Sequence, residues 1–290
     1  MKQVLLAAAL AACSFGATAA DTKPVRFILV GDSTMASNSG YGDAFCARVE
    51  RANTCINLAR GGRSSGSFRK EGRWDEVQGL LKGSSAYSTT YILIQFGHND
   101  QPGKPGRTTD LKTEFPVNIA RYVDEARALG GVPVLVTPLT RRRFIDGTVE
   151  NTLVPWADVI RATASAKKAP LLDLNAESVA AVQAMGEQEA DTLAVEPKPP
   201  GYVPGPTPGA APAPATAPAP APATTPATAA APVMPAASAT AAAEPQGAPK
   251  SAFDYTHVGA KGAQYFATMV ERELKAAVPA TARYFKPEAR

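Results

Sequence analysis

Short runs of apolar residues alternate with helical stretches along most of this chain, and that alternation restricts its fold more than any other feature. Val25–Val30 (VRFILV), Tyr91–Phe96 (YILIQF), Val132–Thr137 (VPVLVT) and Leu171–Leu174 (LLDL) read as strands, with Ile56–Leu58 as a shorter one. Near-continuous apolar strands belong in a sheet covered on both faces. Helices are predicted over Gly40–Glu50, Thr113–Leu129, Trp156–Ala166, Ala176–Met185 and Ala260–Lys275. In Thr113–Leu129 the apolar residues Val117, Ala120, Val123, Ala126 and Leu129 keep helical spacing, and Gly130-Gly131 ends the run. The pattern predicts a flavodoxin-like three-layer α/β/α sandwich on a five-stranded parallel sheet of order 2-1-3-4-5. In such sheets a site forms at the carboxyl ends of the strands, near the switch point between the first and third.

Two segments stand apart from the alternation. Residues 1–20 read as an export signal, with Lys2, the apolar run Val4–Ala12 and the small-residue site Ala17-Thr18-Ala19. Leu10-Ala11-Ala12-Cys13 offers a second reading as a lipobox, with Cys13 lipidated and the protein anchored to a membrane. Pro197–Pro249 is built of Ala-Pro, Thr-Pro and Gly-Pro repeats. Proline removes donors and fixes φ, and few large apolar groups are present to offset ordering entropy, so disorder with polyproline II character is expected. The domain expected to fold therefore comprises 21–196 and 250–290, interrupted by one insert.

Either reading of the N-terminus sends the chain out of the cytoplasm, to the periplasm or the medium. Cys46 and Cys55 fit an oxidising compartment, where a disulfide over so short a loop contributes about 2–3 kcal/mol; two buried thiols are the alternative. No cysteine–histidine cluster suggests a metal, and no cofactor is expected. A net charge of +4 is too mild to point to nucleic acid. Nothing in the chain calls for more than a monomer.

Three separated motifs carry the chemistry: Gly31-Asp32-Ser33-Thr34, Gly97-His98-Asn99-Asp100 and Asp254-Tyr255-Thr256-His257. Ser33 follows the first strand, Gly61-Gly62 the second and Asn99 the third, so the predicted topology brings them to one sheet edge. A serine hydroxyl needs a base to act as a nucleophile. The chain has two histidines, and apart from His98 only His257 is available. Asp254, three residues earlier, is close enough to orient its imidazole. The N–H groups of Ser33 and Gly62 and the Asn99 carboxamide make a three-donor oxyanion hole. Taken singly, each residue has a plainer role: Ser33 as a cap or turn residue, Asn99 as an Asx-turn residue, Gly61-Gly62 as a tight turn.

These four segments, in this order, resemble the SGNH (GDSL-type) hydrolase superfamily. Within it, Gly31–Met35, Gly62-Arg63-Ser64 followed by Glu71-Gly72-Arg73, Phe96–Asp100, and Thr137-Pro138 followed by Arg141–Phe144 look like the rhamnogalacturonan acetylesterase branch. The resemblance implies a metal-independent serine esterase with Ser33, Asp254 and His257 as triad and Ser33, Gly62 and Asn99 as oxyanion donors. It implies an acetylated polysaccharide as substrate, pectic rhamnogalacturonan first. The proline-rich insert departs from the branch pattern.

Basic residues cluster at Arg60–Arg73 and at Arg141–Arg143, and arginine forks match carboxylates. Arg63, Arg73 and Arg142 are therefore candidate substrate contacts, a solvated basic face being the alternative. Tyr41, Trp74 and Tyr255 are candidate sugar platforms, or packing residues. A lipase or lysophospholipase would use the same triad on longer acyl chains, and a non-catalytic carbohydrate-binding protein is the reading from another class.

Overall fold

The computed structural model describes residues 23–202 and 253–287. The expected export signal over 1–20, Cys13 and the greater part of the Pro197–Pro249 insert lie outside the described residues. The elements run β1 (Val25–Gly31), α1 (Gly42–Arg48), β2 (Thr54–Asn57), α2 (Ser65–Lys70), α3 (Arg73–Lys82), β3 (Thr89–Gln95), α4 (Phe115–Ala128), β4 (Val132–Val136), β5 (Phe144–Ile145), β6 (Thr148–Val149), α5 (Val154–Lys167), β7 (Leu171–Leu172), α6 (Leu174–Asp191) and α7 (Ala260–Ala277). Five strands form one sheet in the order β2-β1-β3-β4-β7, and every pair in it is parallel. This is the flavodoxin-like arrangement that the alternation predicts.

The strands are apolar on both faces because each face is covered. Phe27 and Leu29 of β1 join Phe45, Phe266, Val270 and Leu274 in one core, under α1 and α7. Ile28 and Val30 join Trp74, Phe115, Ile119 and Ile160 in the other, under α3, α4 and α5. The period of two fixes the register, since a slip of one residue would exchange the two faces. Pro133 is tolerated in β4 because it pairs with Ile92 of β3, while pairing with β7 begins only at Leu135. Cys46 of α1 and Cys55 of β2 are joined in a disulfide.

Three local features differ from the sequence expectation. Helices α2 and α3 were not anticipated, because Arg69, Lys70, Arg73, Asp75 and Glu76 break the apolar rhythm. Their start is written in a weak capping box: Ser64 Oγ accepts from Ser67 N, and Ser67 Oγ accepts from Ser64 N. The two-residue pair β5–β6 turns on Asp146-Gly147, both at positive φ, the hairpin sequence of a primed turn. Helix α6 continues past Met185, but Gly186 at φ 76° kinks it where the predicted helix stops.

The ordered chain also runs beyond the boundary expected at Pro197. Lys198 Nζ lies 2.7 Å from both Glu187 and Asp191, and 5.5 Å from the ring centres of Phe253 and Tyr255. The Tyr202 ring packs 6.2 Å from the same two rings. A cation flanked by two carboxylates and two aromatic faces holds this stretch onto the domain, so the first residues of the insert meet the Phe253–Tyr255 segment at one aromatic cluster.

Glu273 in α7 carries a pH-dependent cost. Burial, with Asp173 nearby, pushes its carboxyl up to about 7 from the ordinary 4.5. A carboxyl with a raised folded-state pKa binds protons more tightly when folded, so stability falls as pH rises from about 4.5 through about 7. Glu273→Gln is therefore expected to raise the melting temperature at pH 8 and to leave it almost unchanged at pH 4.5. Each kcal/mol relieved corresponds to about 2–4 °C in a domain of this size. Thermal unfolding at the two pH values checks this, and equal shifts at both would rule out the ionisation as the cause.

Candidate active site

Ser33 lies on the turn that leaves the buried end of β1. Asp32 folds that turn around itself: its Oδ1 accepts from Thr34 N (2.9 Å) and Thr34 Oγ1 (2.8 Å), and its carbonyl accepts from Met35 N and Ala36 N. A buried relay ties the turn to the neighbouring strand. Tyr41 OH donates to Gln95 Oε1, and Gln95 Nε2 donates to Thr34 Oγ1, each at 2.6 Å. The loop then doubles back so tightly that a Cβ on Gly40 would sit 2.2 Å from the Thr34 carbonyl. Nothing larger than glycine fits there.

The pair expected to supply the base comes from the other end of the chain. Asp254 Oδ1 accepts from the N–H groups of Thr256 and His257 at 2.8 and 2.9 Å, and its Oδ2 lies 2.7 Å from His257 Nδ1. Burial would raise the Asp254 carboxyl, but the His257 ring and these two N–H groups outweigh it and hold it well below the usual carboxylate range. An ionised Asp254 fixes the proton on Nδ1 and leaves Nε2 as the acceptor. Two hydrogen bonds join this turn to the serine turn: Val258 N donates to the Ser39 carbonyl (3.0 Å), and Ser39 Oγ donates to the Ser33 carbonyl (2.8 Å).

The residues expected as oxyanion donors follow β2 and β3. Gly62 takes φ 76°, a left-handed conformation, and its carbonyl accepts from Arg107 Nη1 at 3.3 Å. Among the described residues, the N–H groups of Ser33 and Gly62 donate to no acceptor. Asn99 is buried and spends one amide hydrogen on the Arg63 carbonyl at 3.1 Å, which leaves the second free. Asp100 anchors the same loop by accepting from Ser65 N, Ser65 Oγ and Thr109 Oγ1.

His98, next to Asn99, is not a second base. It lies buried beside the Ser33 turn, with Nδ1 3.4 Å from Asp32 Oδ2. Burial lowers its pKa in spite of Asp32. Among the described residues no group of His, Cys, Asp and Glu side chains could hold a metal ion, and no helix is long and apolar enough to cross a membrane.

The basic residues sit differently from the expectation. Arg142 is fully buried, and its guanidinium faces the Asp254–His257 turn instead of a cleft, so it is not a substrate contact. Arg141 and Arg143 are buried beside it, the first on Gln101 and Thr152, the second on Glu150. Three consecutive arginines read as a surface patch, but the helices and loops around them supply carbonyls and a carboxylate instead of water. Arg63 stays half-exposed, on Glu71 and on the Gly61 carbonyl. Arg73, also half-exposed, opens α3. Arg69 pairs with Glu125 and lies over the Tyr122 ring. The expected sugar platforms Tyr41, Trp74 and Tyr255 are all buried, so they pack the core and none offers a face to a ligand.

Missed by the sequence reading are Thr34, Gln95 and Asp100, which brace the two loops, and Arg107, beside Gly62. Thr34 and Asp100 carried a signal, since they close the first and second motifs; Gln95 and Arg107 carried none.

The chain matches the model of the GDSL-like lipase/acylhydrolase family over residues 29–203. It is 36% identical over 182 residues to rhamnogalacturonan acetylesterase RhgT of Bacillus subtilis strain 168, covering 60% of this chain and 75% of that one. It is 30% identical over 163 residues to the probable rhamnogalacturonan acetylesterase YesY of the same strain, covering 56% and 72%. Among solved structures, protein YXIM of Bacillus subtilis superposes with a TM-score of 0.57 at 20% identity, over 91% of this chain and 59% of that chain. At that identity the likeness concerns the fold alone.

Proposed function

This chain belongs to the GDSL-like lipase/acylhydrolase family, in its rhamnogalacturonan acetylesterase-like branch, and we propose that it removes acetyl groups from O-acetylated polysaccharide by a serine mechanism. It is a carboxylic ester hydrolase. The observation that carries the mechanism is the 2.7 Å contact between Asp254 and His257, two hydrogen bonds away from a Ser33 whose N–H donates to nothing among the described residues.

His257 Nε2 takes the Ser33 hydroxyl proton as Oγ bonds to the acetyl carbonyl carbon. The negative charge that develops on the carbonyl oxygen is met by the N–H groups of Ser33 and Gly62 and by the second amide hydrogen of Asn99. The C–O bond to the sugar then breaks, and the sugar oxygen takes the proton from His257. A water gives a proton to His257 and attacks the acetyl-enzyme, releasing acetate and restoring Ser33. Turnover of 4-nitrophenyl acetate well above that of the octanoate ester tests this reading. The reverse preference would favour a lipase, and no turnover of either would favour a binding protein.

Pectic rhamnogalacturonan is the proposed polymer. It is the substrate in the names of both Bacillus relatives, and its galacturonate carries carboxylates. Arg141–Arg143 are buried and do not meet such a polymer. Arg69, Lys70, Arg107 and Arg121 line a cavity of about 320 Å³ between α2, α4 and the loop around Arg107, next to Gly62. Lys70 and Arg107 make no ion pair among the described residues. Exposed charges more than about 8–10 Å apart are screened at ~0.1–0.15 M salt. Turnover of acetylated pectic polymer at limiting concentration is expected to fall with added salt, while 4-nitrophenyl acetate turnover stays flat. Lys70→Glu should reproduce the loss on the acidic polymer at low salt, weaken the further fall with added salt, and act weakly on acetylated xylan. Equal salt responses on all substrates would remove the charge argument.

Export belongs to the same proposal, supported by the N-terminal sequence and by a disulfide that persists in oxidising compartments. The mass of the mature protein from a fractionated host separates cleavage after Ala19 from lipidation at Cys13.

A further inference from the structure

The Asp254–His257 turn has a second anchor, which comes from the segment after β4. Arg142 is fully buried on the segment after β4, and it engages the carbonyl of every residue in the Asp254–His257 motif. Its backbone N–H donates to Tyr255 O at 2.9 Å. Its Nη2 donates to Asp254 O and His257 O, both at 2.8 Å, and its Nη1 to Thr256 O at 3.5 Å. The preceding residue reaches the opposite way: Arg141 Nη2 donates to Gln101 Oε1 at 2.7 Å and Nη1 to Thr152 Oγ1 at 2.8 Å. Gln101 is two residues beyond Asn99. Adjacent arginines thus grip the loop of the oxyanion asparagine and the turn of the aspartate–histidine pair.

We infer that Arg142, braced by Arg141, is a positioning residue that fixes the Asp254–His257 turn relative to the Asn99 loop. The inference rests on the reading that these two residues form the catalytic base. A turn of four residues with its carbonyls pointing inward needs donors there, because buried carbonyls without partners are costly. A planar fork satisfies several at once and sets their relative orientation, whereas an ammonium is a point charge without that geometry. Burial lowers both guanidinium pKa values to about 10, so both remain cations at neutral pH.

The test compares Arg142→Lys with Arg142→Met in the full chain. Because there are only two histidines, the imidazole ¹⁵N–¹H NMR spectrum reads His257 directly, without substrate. The expected result is a folded Arg142→Lys protein whose 4-nitrophenyl acetate kcat falls by about 10–100-fold, the cost of a small misplacement near a reacting centre. KM should change less than threefold, and the Nδ1–H signal of His257 should broaden or shift. Arg142→Met should be worse in kcat than Arg142→Lys. Wild-type kcat with an unchanged His257 signal in either folded variant overturns the inference. So does a loss of kcat that only tracks the folded fraction measured by circular dichroism. If Arg142→Met fails to fold, Arg142→Lys alone decides. A wild-type protein with no esterase activity but a His257 signal that responds to Arg142→Lys would overturn the catalytic reading and keep the positioning one.

Discussion

Replacing Ser33 with Ala is expected to lower kcat on 4-nitrophenyl acetate by roughly 10⁴-fold or more, with the protein still folded. The hydroxyl is dispensable for the turn: Asp32 and Thr34 hold it through Oδ1, and Ser33 contributes only its carbonyl, to Ser39. His257→Ala should cost about as much, because nucleophile and base act as one unit and their losses do not add. The double variant should therefore be little worse than either single one. Near-wild-type turnover by Ser33→Ala, with melting unchanged, would sink the serine mechanism and place the hydrolysis on another group.

Asn99→Ala removes one preorganised donor and should reduce kcat on the order of 10²–10³-fold with little change in KM. The second amide hydrogen is the one at stake, since the first already holds the Arg63 carbonyl. That division suggests a control. Losing the Arg63 contact alone would loosen the 61–64 turn and act through Gly62, so Gly62→Ala should be damaging by a related route. Its left-handed φ is strained for any residue with a Cβ, and that Cβ would lie 3.0 Å from Arg107. A rise in KM with unchanged kcat for Asn99→Ala would make Asn99 a binding residue and remove it from the oxyanion hole.

The altered places of the arginines change how substrate charge is understood. Arg142 was expected to face a polymer and instead faces four backbone carbonyls. In the proposed reading, charge for the polymer then falls to Lys70, inside the basic cluster of the sequence, and to Arg107, outside it. This is why the salt experiment uses Lys70→Glu: a substitution at Arg142 would disturb the base and mimic a loss of substrate binding.

The sheet was legible in the sequence because its signal is local and repeated. Apolar runs such as Val25–Val30 and Tyr91–Phe96 are buried on both faces, and the turn residues after them mark the strand ends. The fold class and the strand order follow from that pattern, and the order alone brings Ser33, Gly62 and Asn99 to one edge. The contact of Asp254 with His257 was legible for a similar reason, since three residues of a tight turn bring one side chain to the other. Burial of charge was not legible. Whether Arg141, Arg142 and Arg143 meet water or carbonyls depends on the turn at 254–257, more than a hundred residues along the chain, and on the loops at Gln101 and Thr152. The same holds for Trp74, whose indole is sealed by Glu125 and Tyr122 from a different helix. A sequence states which groups carry charge or an aromatic face. Only the packing of distant segments decides whether that face is spent inside the protein or left for a ligand, because desolvation and partner geometry are properties of the assembled surroundings and not of the residue.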